Sequence, residues 1–303
     1  MKNISTLVED IYQTLKPKKS KDEFIDLKKN LKEFSKNVSD LIESYVNELE
    51  EESVPYLRPS NLGTPDRKLW YIMNTEQKDY GFNGPKKLSF LYGHIIEQLV
   101  ILLAKAAGHK VSNTQQEVTL HEISGSIDSV IDGVLVDVKS ASPYSFAKFK
   151  NGTLLQDDPF GYREQISFYA RAKDVDQAGF LALDKSSGEL ALLMVDPTFD
   201  LMQKEEVISA IDNKRKVVHN KDSLPDRCYS DEEEGKSGNR GLSKGCSWCP
   251  FKFDCWSDAN DGKGLRVFQY SNGLKYLTKV ESVPKVPELV INGKEEENNT
   301  PEV

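Results

Sequence analysis

The sequence predicts a mixed α/β fold: a mixed sheet flanked by helices, preceded by a helical N-terminal arm and followed by a small cysteine-rich module. Three observations predict it. Across residues 88–217 the apolar spacing runs helix, three strands, helix, two strands, helix. Asp132-Gly133 separates two β-branched runs as a tight hairpin turn, both of whose positions favour positive φ. The length of 303 residues, 38% of them hydrophobic, is enough for one large domain or two modest ones with a sizeable core.

The N-terminal arm, residues 1–55, reads as helix because Phe24, Leu27, Leu31, Phe34, Val38, Leu41, Ile42, Tyr45 and Leu49 recur at helical spacing among Lys and Glu. Pro17 divides it into a short and a longer helix, and Pro55 and Pro59 close it. Its apolar stripe packs on the core or on a partner. Residues 56–220 form the predicted core. A helix spans about 88–107 and stops at Gly108, and strands follow near 109–118, 122–131 and 134–140. A helix from about Phe160 to Lys173 leads to strands at 178–184 and 189–195, and then to a helix from about 198 to 217. Residues 221–262 hold every cysteine. The 263–303 segment is expected to be disordered from about 280, where Val-Pro-Lys-Val-Pro and Lys-Glu-Glu-Glu-Asn-Asn have little to bury.

The formal charge is −8, with a pI near 5.3. It is unevenly spread: residues 1–55 carry 9 basic and 12 acidic side chains, and residues 271–303 carry 4 and 6. The core is close to balance, so the charge argues only against indiscriminate binding of nucleic acid. The longest apolar run, Leu99 to Ala104, falls far short of the roughly 18 residues of a membrane span, and the N-terminus lacks a hydrophobic leader. A soluble intracellular chain that contacts no membrane is expected.

The most informative stretch is GSIDSVIDGVLVDVKSAS, residues 125–142. Strand alternation puts Asp137 and Lys139 on one face with Val138 pointing away, and Asp128 lies on the paired strand. Acids clustered in an apolar sheet repel one another and desolvate badly unless a cation joins them, and a hard divalent ion suits oxygen ligands. Lys139 would then orient or deprotonate a water, or stabilise developing negative charge. An exposed hairpin with an inconsequential Asp137–Lys139 pair is the plain alternative. On the preceding helix, Glu97 is a carboxylate in an otherwise apolar segment, and His94 lies three residues earlier. On the following helix, Gln165 and Tyr169 share a face, with Arg163 close by.

Taken in order, Gly-x-x-x-Glu (93–97), Gly-x-x-Asp (125–128), Asp-x-Lys (137–139) and Gln-x-x-x-Tyr (165–169) resemble the motif series of the PD-(D/E)XK nuclease superfamily. The nearest branch is that of the RecB-like and phage exonucleases. The resemblance spans residues 88–172. It implies a restriction-endonuclease-like fold in which Glu97, Asp128, Asp137 and the Val138 carbonyl hold Mg²⁺ or Mn²⁺. It also implies that Lys139 helps activate the attacking water, and that Gln165 and Tyr169 steady the site and the DNA strand. RecB carries His where this chain has Glu97, so His94 lines the site rather than ligating. Leu57-Arg58-Pro59-Ser60-Asn61-Leu62-Gly63 and Pro65-Asp66-Arg67 resemble the segment that opens RecB-like nucleases, which makes Ser60 and Arg67 candidate phosphate contacts; a helix start capped by Arg67 is the alternative.

The cysteines lie within 28 residues: Cys228, then 17 residues, Cys246, two, Cys249, five, Cys255. Four thiolates so placed in a chain without other cysteines suit a tetrahedral metal or a cubane cluster. The Cys-x2-Cys-x5-Cys end followed by Trp256 resembles the cluster-binding end of AddB-type and CRISPR-associated RecB-like nucleases, which implies a 4Fe-4S cluster. The local first cysteine, Cys228, fits structural Zn²⁺ instead. Lys236, Arg240, Lys244 and Lys252 around them are candidate DNA-facing cations.

The expected activity is metal-dependent exonucleolytic hydrolysis of DNA in phage recombination, repair or degradation, in the cytoplasm of a bacterial host and alongside phage recombination or replication proteins. The alternatives are a structure-specific endonuclease or resolvase on the same fold, and a catalytically silent DNA-binding recombination module.

Overall fold

A computed structural model describes residues 2–17, 25–48, 55–75 and 84–290. Phe24 and Leu49 of the arm and the acidic end from 291 lie outside the described residues, as does the Leu27 side chain. In chain order the helices are α1 (Leu7–Thr14), α2 (Ile25–Glu48), α3 (Asp66–Asn74), α4 (Gly84–Ala106), α5 (Pro143–Lys150), α6 (Tyr162–Lys173), α7 (Lys204–His219), α8 (Lys244–Ser247), α9 (Lys252–Cys255) and α10 (Ala259–Gly262). The strands are β1 (Val111–Ser112), β2 (Gln116–Leu120), β3 (Ile123–Ile127), β4 (Ser129–Ile131), β5 (Val134–Ala141), β6 (Ala178–Asp184), β7 (Leu190–Val195), β8 (Glu232–Glu233), β9 (Arg240–Gly241), β10 (Arg266–Tyr270), β11 (Gly273–Lys279) and β12 (Glu288–Leu289). Two units emerge: residues 1–64 with 87–215, and residues 65–86 with 216–303.

The first unit is built on a five-stranded mixed sheet of order β1-β4-β5-β6-β7. Asp132 (φ 51°) and Gly133 (φ 90°) turn β4 into β5, with Ile131 opposite Val134. Strand β5 pairs parallel with β6, setting Asp137 beside Phe180 and Lys139 beside Ala182, and β7 closes the sheet antiparallel to β6. Such a parallel pair needs a long crossover, which α5 and α6 supply. Each face of the sheet has its own core. Val134, Val136, Val138 and Leu181 pack with Ile96, Val100 and Ala104 of α4 and with Leu7 and Ile11 of α1. Leu135, Ala141, Phe180 and Ala182 pack with Phe146 and Phe149 of α5 and with Ile166, Phe168 and Ala170 of α6. Full burial of side chains such as Phe168 and Phe180 stabilises the fold by ~1.5–3 kcal/mol each.

Several polar contacts fix the arm. Buried His109 bridges α1 to the hairpin, with Nδ1 2.7 Å from Asp132 and Nε2 3.2 Å from Asp10. On α2, Asn37 donates to Gln98 at 3.0 Å and Glu33 pairs with Lys105 at 2.7 Å. Phe34, Val38, Leu41 and Tyr45 are half-buried, whereas Leu31, Ile42 and Val46 stay exposed. Over Lys87–Ala106, α4 is long and apolar enough to cross a membrane, yet its buried stripe serves the sheet as a core helix does.

Two strands expected to be continuous are broken. Asn113 and Gln115 take positive φ (54° and 52°), which divides the 109–118 run into β1 and β2. The 122–131 run splits at Asp128: β3 pairs with β2 in a separate two-stranded sheet, while β4 joins the main one. The chain changes sheets at the acid, whose side chain takes a hydrogen bond from the β5 backbone.

In the second unit, β12-β10-β11-β9-β8 form an antiparallel sheet. Helix α3 belongs here: Tyr71 stacks on Phe251 (5.2 Å, 13°), and Trp70 donates to the Asn220 carbonyl at 2.8 Å. The cysteine-bearing stretch is therefore part of a larger unit, not a small free-standing module. Residues 281–290, the described part of the stretch expected to be disordered, instead supply β12, which pairs with β10 through Val267↔Leu289. The hairpin between β10 and β11 turns at Ser271-Asn272, with Gly273 (φ 121°) paired opposite Tyr270.

Gly63 and Gly161 touch back to back. A Cβ on Gly63 would stand 2.2 Å from the Gly161 Cα, and Gly161 holds φ 73°. Gly84, at the start of α4, has open space instead. Gly63→Ala is expected to cost about 1–3 kcal/mol in urea unfolding, whereas Gly84→Ala should stabilise by about 0.4–1 kcal/mol. Equal behaviour of the two variants would contradict this packing.

Candidate active site

The elements just described bring the predicted residues of the first unit together. Alternation along β5 points Asp137 and Lys139 toward α6 and buries Val138 on the α4 side. The Lys139 ammonium lies 2.7 Å from Asp137 Oδ2, donates to Gln165 Oε1 at 3.1 Å, and sits 4.7 Å from the centre of the Tyr162 ring. Asp128 Oδ2 accepts the Val138 N–H at 2.7 Å, so the backbone beside Lys139 fixes this carboxylate. Glu97, only 6% exposed, reaches in from α4; its Oε1 accepts hydrogen bonds from Gln115 and Gln98. His94 stands off, 3.7 Å from Glu97 Oε2 and largely exposed.

The glycines of the motifs have packing reasons. A Cβ on Gly125 would meet Pro59 Cγ at 2.7 Å and the Tyr169 hydroxyl at 3.1 Å. One on Gly93 would press on Ser140 Oγ at 3.3 Å, so its absence lets α4 settle on β5 one turn before Glu97. Pro59 carries exposed Ser60 to the same edge of the site. Arg67 belongs to the other unit. In the second unit its guanidinium donates to the carbonyls of Pro225 (2.9 Å) and Cys255 (3.4 Å), which commits two of its donors to backbone.

Electrostatics mark the carboxylates as a group. Burial, reinforced by the charges of Asp137 and Glu97, lifts the Asp128 carboxyl well above the ordinary carboxylate range. Burial also raises Asp137, against the pull of Lys139 and with the push of Glu97. Burial works against the charge on Lys139, but Asp137 and Asp128 outweigh it and hold the proton more tightly than in an ordinary lysine. Lys139 is therefore a fixed cation rather than a base that takes a proton from water. Tyr169 is pushed up to about 12 by burial and the nearby Asp137 charge, so it acts as a neutral hydroxyl.

A divalent cation fits this donor set by its chemistry. Asp128 is raised by the charges of both Asp137 and Glu97, and Asp137 by that of Glu97, while Lys139 at 2.7 Å from Asp137 is the cation that answers them. As the side chains stand, no group of three or more His, Cys, Asp or Glu among the described residues is placed to hold a metal ion.

Sequence reading missed Tyr162 and Gln115. Tyr162 precedes Gln165 by three positions on α6, a helical spacing that offered a signal. Gln115 offered none, since a positive-φ turn brings it to Glu97.

In the second unit all four cysteines are free. They share a neighbourhood: Cys249 feels Cys246 and Cys228, and Cys255 feels Cys246, while burial raises both the Cys249 and Cys255 thiols. The surrounding cations differ in exposure. Lys252 is buried beside the rings of Phe253 and Tyr276, and Arg240 pairs with Asp231 at 2.7 Å, whereas Lys236 and Lys244 are exposed. Burial removes Lys252 from the expected DNA-facing set.

No protein-family model and no curated protein matches the chain. Among solved structures it is similar to SSO0001, with a TM-score of 0.41 and 11% identity over 70% of this chain and 93% of that one. It is also similar to a phage related exonuclease from Haemophilus somnus 129PT, with a TM-score of 0.36 and 14% identity over 56% of this chain and 94% of that one.

Because burial raises the Asp128 and Asp137 carboxyls above their unfolded value, about 3.9, the folded state keeps protons that the unfolded state loses. Their burden is absent below about pH 4 and grows as pH rises through the folded values. In chelator-treated protein, Asp128→Asn should flatten this fall and raise the apparent Tm at pH 7 by roughly 2–4 °C. Calorimetry across pH 4–8 checks it; a lower Tm at pH 7 would show that the charged carboxylate is no burden.

Proposed function

We propose that the chain is a metal-dependent nuclease that hydrolyses phosphodiester bonds of DNA, acting as an exonuclease. The single observation that carries this reading is the buried Asp128–Asp137–Lys139 constellation, with Glu97 adding its charge. A structural ion pair would need one acid for one lysine. Here two acids act on one lysine and Glu97 adds its charge to both, an excess of negative charge that suits a divalent cation. The resemblance of the four ordered motifs to the PD-(D/E)XK series supports the same chemistry.

Mg²⁺ or Mn²⁺, held by Glu97, Asp128, Asp137 and the Val138 carbonyl, would supply Lewis-acid polarisation of the phosphate oxygens. The chain's own groups do the rest. Lys139, fixed by Asp137, Gln165 and the Tyr162 ring, presents a permanent positive charge to the phosphate as negative charge builds on its oxygens. Asp128, oriented by the Val138 N–H, would hold its carboxylate toward the cation, and Lys139 would help orient the attacking water. Gln165 steadies Lys139, and Tyr169 holds its hydroxyl against Gly125. Ser60, exposed beside Pro59, and Arg67, through donors left over from its backbone bonds, would supply phosphate contacts.

We further propose that Cys228, Cys246, Cys249 and Cys255 hold a 4Fe-4S cluster, with structural Zn²⁺ as the second reading, and that the host cytoplasm and phage recombination or replication proteins are its setting. The close spacing of four free thiols along the chain supports a bound metal. Anaerobically purified protein should be brown with iron and sulfide present, or colourless with one zinc. Neither metal in stoichiometric amount would remove the proposal.

End-labelled linear DNA and closed circular DNA, each incubated with Mg²⁺, Mn²⁺ or EDTA, test the activity. Metal-dependent loss of linear DNA alone is expected, and Lys139→Ala should lower kcat by about 10²–10³-fold. Cutting of circles would favour an endonuclease or resolvase. Loss of neither would leave a silent DNA-binding module.

A further inference from the structure

One edge of the site carries an aromatic surface for which the hydrolytic chemistry has no use. The loop Asp157-Asp158-Pro159-Phe160-Gly161 leads into α6 and is held firmly. Asp158 accepts the N–H of Phe160 at 3.3 Å and of Arg163 at 2.9 Å. Lys148 of α5 donates to the Asp157 carbonyl at 3.0 Å, and Gly161 is seated against Gly63. On this pinned loop Phe160 is nevertheless 59% exposed.

Its ring is the outer end of a column that starts in the core. Phe180 and Phe149, both buried, lie 5.9 and 6.2 Å from Tyr162, and Phe160 stacks on Tyr162 at 5.5 Å and 29°. Tyr162 is the ring that faces the Lys139 ammonium at 4.7 Å. The exposed π-face of Phe160 is thus one ring removed from the charge presented to the phosphate. A second exposed ring, Tyr144 (64%), lies at the start of α5, three residues beyond the end of β5, with its centre 5.4 Å from Lys148 Nζ. Asp157 is paired with Lys148 and Asp158 accepts backbone N–H groups, so these three side chains give the rim no net positive charge to draw in both phosphate strands of a duplex.

We propose that Phe160 is a stacking platform for an unpaired nucleobase next to the phosphate held at Lys139, which makes single-stranded ends and overhangs the preferred substrate class. An aromatic face accepts any base, because every base has a π-face, and stacking supplies affinity that an acidic chain cannot draw from phosphate contacts alone. Tyr144 flanks the same strand. The inference rests on the nuclease reading for the identity of the polymer.

Fluorescence anisotropy with the full chain in EDTA, where hydrolysis is blocked, tests it. The probes are labelled oligo-dT, a blunt duplex, and the same duplex with an overhang. Oligo-dT and the overhang should bind more tightly than the blunt duplex. Phe160→Ala should weaken oligo-dT binding by about ten-fold, with unchanged circular dichroism and melting. Phe160→Trp should retain binding and Phe160→Leu should lose it, which separates stacking from plain apolar contact. Unchanged binding in Phe160→Ala, a preference for the blunt duplex, a Leu variant as good as wild type, or no binding of oligo-dT would each overturn the platform. The two readings fail separately: metal-dependent hydrolysis indifferent to Phe160 overturns the platform alone, and Phe160-dependent binding without hydrolysis overturns the nuclease alone.

Discussion

Burial of more negative than positive charge beside one strand is the constraint on which the rest of the first unit depends. Strand β5 has core on both faces, yet carries Asp137 and Lys139 between Val136, Val138 and Ala141. Such a strand tolerates charge only if every charged group is answered. Lys139 answers Asp137, the Val138 amide answers Asp128, and the Gln115 and Gln98 amides answer Glu97. What is left is an imbalance of carboxylates, and it shows as raised proton affinity at Asp128 and Asp137.

The scaffold around the strand is arranged to hold this imbalance in place. The break between β3 and β4 falls at Asp128 because an unbroken strand would leave that carboxylate in line with its neighbours, whereas the change of sheet turns it onto the β5 backbone. Close approach does the remaining positioning. Helix α4 settles on Ser140 at Gly93, Tyr169 and Pro59 converge on Gly125, and Gly161 meets Gly63. These contacts join five separated stretches of chain, so a change in one propagates to the site through rigid packing rather than through a flexible loop. A stability penalty concentrated at charged residues, with apolar packing compensating elsewhere, is the pattern of a site under functional demand.

Much of this was legible in the residues. The helix–strand order, the Asp132-Gly133 turn and the shared face of Asp137 and Lys139 follow from spacing and alternation, which are local properties. The two-stranded β2–β3 sheet was not legible, because positive φ at Asn113 and Gln115 breaks a run whose polarity still alternates as a strand does. The placement of α3 with the C-terminal sheet was hidden too, since it depends on a Tyr71–Phe251 stack between residues 180 positions apart. Lys252 looked like a surface cation by residue type, and only the rings of Phe253 and Tyr276 explain its burial.

The sequence by itself determined the fold class of the first unit and the membership of its charged cluster. Hydrophobic periodicity selects helix or strand, and an acid–hydrophobe–lysine triplet on a core strand must resolve its charge. The tertiary structure alone decided what those charges do to one another. Proton affinities, the fixed cationic state of Lys139, and the Phe160–Tyr162 column arise from distances and burial between elements far apart in the chain, because electrostatic and stacking energies depend on separation in space and not on position along the backbone.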